Sequence, residues 1–186
     1  DPVGKPLYND GRIITGIVPE TDFLGTPLYQ INPPDENEIN QRKKDYFDPY
    51  HNRLSELISD LNSTFGSVLL WDAHSIKRFV PTIQNQPFPD MILGSADECS
   101  AEKPLIDQVL QNLSDSPFKI AHNFPFKGGY ITRSKGNPKV GINALQLEMS
   151  KNLYMDESET KLDNVLAGKV SYTLSKTFES IAKYLG

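Results

Sequence analysis

Two hydrophobic periods alternate along the chain, and each change of period marks an element. From Asp35 the spacing is helical: Ile39, Tyr46, Tyr50, Leu54, Leu57, Ile58 and Leu61 recur three and four residues apart and form one stripe. Asp35 suits an N-cap, and Glu36 and Glu38 lie where a helix dipole favours them. Asp48-Pro49 interrupts the stripe, either by starting a second helix or by kinking a single one. Residues 67–71, an apolar run after Gly66, read as a strand buried on both faces. Residues 91–93, 118–121, 129–132 and 144–149 read as further strands. Helices are predicted over 101–113, with Ser100 as cap, and over 161–185, each with one apolar face. The Pro- and Gly-rich opening, residues 1–35, holds a strand candidate at 12–18 and then a wrapping loop. Strands separated by helices predict a three-layer α/β domain, and 186 residues suffice for a single domain, 1–186, with a sizeable core.

Polar residues at the ends of these runs supply the candidate chemistry. The 67–71 run passes into Asp72, Ala73, His74 and Ser75. If the extended backbone persists, Asp72 and His74 project to the same side. A carboxylate and an imidazole leaving a strand's carboxyl end together suit a metal site, with the carboxylate ligating or orienting the ring. They equally suit a turn-capping Asp beside a half-exposed His. In A-L-Q-L-E-M, Leu145, Leu147 and Met149 fall on one side and Gln146 and Glu148 on the other. So apolar a strand reads as central. A Glu leaving it is either paired structurally or held for acid–base work, with burial raising its pKa.

Segment 117–140 contains Lys119, Lys127, Arg133, Lys135 and Lys139 and no acidic residue. The lysines read as a solvated face. Arg133 ends G-G-Y-I-T-R, read as a strand, and could fork onto a substrate carboxylate. His51 reads as a packing residue on its helix. His122 reads as a strand-end residue with little claim to be a ligand.

Charge and composition narrow the partners. A net charge of −5 argues against general affinity for nucleic acid or anionic membranes. One cysteine, Cys99, excludes an internal disulfide and any Cys-rich zinc site. No run reaches transmembrane length and no signal-peptide pattern opens the chain, so a cytoplasmic location is expected. The first residue is Asp1, and the chain is expected to lack part of its natural N-terminus.

D-A-H-S-I (72–76), F-K-G-G-Y-I-T-R with G-x-P after it (126–138) and Q-L-E-M with Y-M-D-E after it (146–157) together resemble the N-formylglutamate amidohydrolase family. Upstream, D-P-V-G-K-P-L-Y, T-G-I-V-P, the G-T-P-L-Y loop and E-I-x-x-R-x-x-Y-F-x-P-Y-H extend the resemblance over nearly the whole chain. It implies a carboxypeptidase-like αβα fold around a mixed sheet. It also implies zinc-dependent (Zn2+) hydrolysis of N-formyl-L-glutamate, a small dicarboxylate, to formate and L-glutamate in histidine degradation. By motif, His74 looks like a zinc ligand, and Asp72 a further ligand or its orienting partner. Glu148 looks like the carboxylate that activates the attacking water, and Arg133 a clamp for substrate carboxylate, helped by Lys77 or Arg78. The family usually begins with a P-H-S-G-like segment that supplies another metal-binding His, so the remaining ligands are expected upstream of residue 1. Family members commonly carry Arg at the position of Lys77. Two other readings stay open: hydrolysis of another N-acyl amino acid, and a metal-free binding domain of the same fold.

Overall fold

The computed structural model describes residues 17–186, which fall into two compact units. The strand expected at 12–18 lies almost wholly outside the described residues. The first unit comprises residues 17–57 and 79–87. Its loop turns on Asp22, whose Oδ1 accepts the amides of Leu24 and Thr26, each at 2.8 Å. Helix α1 (Glu36–Arg42) is capped as expected: Asp35 accepts the Glu38 amide at 2.9 Å. The interruption at Asp48-Pro49 is neither a clean stop nor a simple kink. Lys43–Phe47 forms a π-helical turn that leads into α2 (Asp48–Phe65). Lys43 Nζ reaches Asp48 across that turn at 2.7 Å. Of the apolar stripe, Ile58 alone is buried, while Leu57 and Leu61 stay more than two-fifths exposed.

The second unit, Ile58–Arg78 with Phe88–Gly186, holds the sheet. Among the described residues it has four strands, β1 (Val68–Ile76), β2 (Met91–Gly94), β3 (Ile120–His122) and β4 (Ile142–Ser150), in the order β1-β4-β2-β3. β1 runs parallel to β4, and β2 runs antiparallel to β4 and parallel to β3, so the sheet is mixed. β4 is central, as its sequence predicts, with residues 143–148 all buried. β1 departs from expectation in two ways. It continues past Trp71 through Asp72 and His74 to Ile76, and its residues are half-buried or exposed, because β4 is its one neighbour among the described strands.

One face of the sheet is apolar. Met91, Leu93, Leu145 and Leu147 pack against Leu105, Ile106, Val109 and Leu113 of α3 (Lys103–Ser114) and Val170 and Ile181 of α5 (Asn164–Leu185). Trp71 of β1 meets Phe178 of α5 edge to face at 5.1 Å. The two helices are joined by Gln108 and Asn112, which both donate to the Ser180 hydroxyl, at 2.6 and 3.0 Å. α3 starts later than expected because Ser100 is used elsewhere: its hydroxyl donates to the Ala144 carbonyl at 2.6 Å, and its own carbonyl accepts the Ala144 amide at 2.8 Å. α5 begins on Asp163, which caps the amides of Val165 and Leu166.

The opposite face carries α4 (Tyr130–Lys135), which packs on β4 and β1 and completes the three layers. This corrects the strand expected at 129–132 and with it the placement of Arg133. Ile131 and Thr132 favour a strand locally, but Gly129 is extended and serves as N-cap, and the Arg133 amide closes a helical turn onto the Gly129 carbonyl at 3.1 Å. Tertiary packing overrides propensity here. Thr132 is fully buried, its methyl against Gly128, whose φ of +109° no β-carbon would tolerate.

The loop before α4 lies directly on β2. A β-carbon at Gly94 would stand 2.5 Å from the Gly128 nitrogen, a backbone atom that cannot swing aside. Gly94→Ala is therefore expected to lift the loop and cost about 1–3 kcal/mol, roughly 2–12 °C in Tm for a chain this size. A variant that melts with the wild type would mean the loop has room to spare.

Candidate functional site

Parallel pairing of β1 with β4 sets Asp72 opposite Gln146 and His74 opposite Glu148. Adjacent strands lie about 4.8 Å apart and paired residues share a face. Two segments distant in sequence thus deliver Asp72, His74, Gln146 and Glu148 to one patch, on the face away from α3 and α5. Asp72 Oδ1 and His74 Nε2 are hydrogen-bonded at 3.0 Å. His74 is 45% exposed at its side chain and Asp72 13%, so the ring opens outward while its partner is covered. The Asp72 bond holds the His74 pKa above its ordinary value; burial opposes this, and the Asp72 and Glu148 charges reinforce it.

Glu148 is 9% exposed. Burial pushes its carboxyl up to about 7, against the lowering effect of His74 and with a smaller raising effect from Asp72. A carboxyl in that range exchanges protons readily near neutral pH. Gln146, also buried, touches Glu148: its Nε2 donates to Glu148 Oε2 at 3.4 Å, and its Oε1 accepts the Gly129 amide at 2.6 Å.

The basic candidates separate. Arg133 is half-buried on the last turn of α4, the helix that covers β4 and β1. Arg78 is ion-paired with Asp90, and its carbonyl accepts the Phe88 amide. Lys77 is exposed just beyond β1. Lys127 pairs with Asp97 at 2.8 Å, and Lys119 and Lys139 are solvated, as their sequence context suggests.

The other histidines serve the scaffold. His51 packs on Phe47 at 4.1 Å between centroids and helps line a cavity of about 400 Å³ in the first unit, with Tyr29, Arg42, Tyr46 and Tyr50. His122 ends β3, separated from β1 by two strands. Its Nε2 meets the Ser95 hydroxyl at 2.7 Å and the Asn123 side-chain amide at 3.0 Å, and burial lowers its pKa. Sequence reading passed over Ser95, which carries no local signal, and it set Gln146 on the polar side of β4 with Glu148 without giving it a role.

Imidazole nitrogen and carboxylate oxygen are the donors that zinc accepts beside thiolate, and Asp72 with His74 offers both at one strand end. Among the described residues no set of three or more His, Cys, Asp or Glu side chains is close enough to hold a metal ion. No helix among the described residues is long and apolar enough to cross a membrane.

Comparison with known proteins bears on the whole arrangement. A family model described as N-formylglutamate amidohydrolase matches residues 2–155. An N-formylglutamate deformylase of Pseudomonas putida is 37% identical over 158 residues, 83% of this chain and 58% of that protein. A deformylase of the same description from Pseudomonas aeruginosa is 37% identical over 156 residues, 82% of this chain and 58% of that protein. The chain thus spans a little over half the length of these curated relatives. The crystal structure of N-formylglutamate amidohydrolase from Ralstonia eutropha superposes with a TM-score of 0.76 at 27% identity, over 90% of this chain and 60% of that one. The chain belongs to the N-formylglutamate amidohydrolase family.

Proposed function

We propose that this chain carries the hydrolytic face of an enzyme that cleaves the amide bond of N-formyl-L-glutamate, releasing formate and L-glutamate in histidine degradation. The observation that supports this best is the register of β1 on β4. It sets a metal-suited Asp72–His74 pair beside Glu148, a buried carboxyl poised near pH 7.

His74 would hold zinc, with Asp72 either ligating beside it or orienting the ring through their hydrogen bond. When bound, the metal polarises the formyl carbonyl and makes water acidic enough to attack near neutral pH. Glu148 takes the proton from the attacking water and returns it to the amide nitrogen as the C–N bond breaks. The glutamate part of the substrate brings carboxylates that a chain of net charge −5 repels overall. Arg133 offers a planar fork for one of them from α4, directly over the strands that carry Asp72, His74 and Glu148. Arg78 is engaged by Asp90, which leaves Lys77 as the second cation for a carboxylate.

Full-length protein tests each role. His74→Ala is expected to lower bound zinc well below one equivalent while leaving the far-ultraviolet circular dichroism unchanged. Metal retained at the wild-type level would remove His74 from the ligand set.

Glu148→Gln should keep its metal and lose about 10²–10⁴-fold in kcat; near-normal kcat would make Glu148 structural. Its titration has a second readout in chelated protein. The folded-state pKa is raised from 4.5 to about 7, so the unfolded chain ionises first as pH increases. Stability contributed at low pH is lost through that window and levels off above it. The variant should lack this slope and be the more stable protein above pH 7. Parallel pH profiles would place the strain elsewhere.

Arg133→Lys preserves charge but not the fork, and should cost about 10–100-fold in kcat/KM for N-formylglutamate. Lys119→Ala and Lys139→Ala should change it less than twofold. Equal losses at all three would mean diffuse attraction rather than a clamp.

A further inference from the structure

Gln146 stands between two parts of the proposed machinery, and its chemistry leaves it one orientation. The Gly129 backbone N–H can only donate, so the Gln146 atom 2.6 Å away is the carbonyl oxygen. The amide nitrogen must then face the other way, toward Glu148 Oε2 at 3.4 Å. Both side chains are buried, and they lie two residues apart on one face of β4, so neither can be replaced in its contact by bulk water. Gly129 is itself held. It begins α4, and it follows Gly128, which rests on Gly94 of β2. The loop behind it is pinned by the Ala96 amide on the Lys127 carbonyl at 2.7 Å.

From this geometry we infer that Gln146 is a positioning residue. Fixed by the Gly129 amide, it holds one oxygen of the Glu148 carboxylate and leaves the other to receive the proton from water. The inference rests on Glu148 acting as the base. Gln146 touches neither water nor substrate in this role. It acts through Glu148 alone, and that separates it from a residue that merely ties α4 to the sheet. Loss of a tether would disturb Arg133 and appear in KM. Loss of positioning appears in kcat and vanishes once Glu148 can no longer accept a proton.

A double-mutant cycle reads this difference. The proteins are wild type, Gln146→Met, Glu148→Gln and the double variant, assayed as full-length protein on the best substrate from a panel of N-acyl amino acids. Gln146→Met, similar in length but without polar ends, should lower kcat about 10–100-fold, the range for partners that orient active-site groups, with KM within about threefold. In the Glu148→Gln background it should change kcat less than twofold. Equal losses of kcat in both backgrounds, or a raised KM with kcat intact, would overturn the inference and leave the role of Glu148 standing. A fully active Glu148→Gln protein would overturn the base assignment, and Gln146's role with it, as would absence of turnover on the whole panel. Where Gln146→Met fails to fold, Gln146→Asn takes its place. One methylene shorter, it cannot span from the Gly129 amide to Glu148, so it too should lose kcat, and wild-type kcat in that variant would overturn the inference.

Discussion

Everything at the candidate site depends on the register of one parallel strand pair. Side chains alternate with a period of two, so a slip of one residue between β1 and β4 would leave His74 facing Leu147 or Met149 instead of Glu148. What prevents the slip is the other face. Leu145 and Leu147 are fully buried against α3 and α5, and Trp71 is pinned on Phe178. The hydrophobic face therefore specifies the polar one. The residues that could do chemistry contribute little to their own alignment, and the penalty for misalignment is the exposure of leucines.

The polar face has its own constraint, since buried hydrogen-bonding groups must find partners. Gln146 and Glu148 lie on a strand covered on both sides, and the covering loop reaches them only because Gly94 and Gly128 lack side chains at the crossing. That close approach brings the Gly129 amide to Gln146. Ser95, His122 and Asn123 hold the loop's origin with bonds of 2.7–3.0 Å. The bonds that fix the loop thus lie at the β3 edge, and their effect is felt at β4.

Much of this was legible in the sequence, and the misses have physical causes. β4 was recognisable as central because Ala144, Leu145, Leu147 and Met149 make it so apolar, and Asp35 announced its helix through capping chemistry. Asp72 and His74 were placed on one side by a period-of-two argument that needed only an extended backbone. Arg133 was put on a strand because Tyr130, Ile131 and Thr132 favour one, whereas the helix there is decided by Thr132 packing on Gly128, a contact no local pattern encodes. Ser100 looked like a helix cap and was drawn instead to Ala144, forty-four residues away. The Lys43–Phe47 π-turn was visible as an interruption but not as a kind of turn. The proximity of His74 to Glu148 was implied by the roles the family resemblance gives them, and its register waited for the sheet itself.

The sheet order also sets a timetable. β1 leaves the ribosome long before β4, which arrives about seventy residues later and separates it from β2. At about 5–20 residues per second, the nascent chain presents Asp72 and His74 on an unpaired strand for several seconds before Glu148 exists. During that interval the pair stands without the carboxylate beside it or α5 beneath it. The order of synthesis, and not the finished fold alone, then bears on how β1 finds its register.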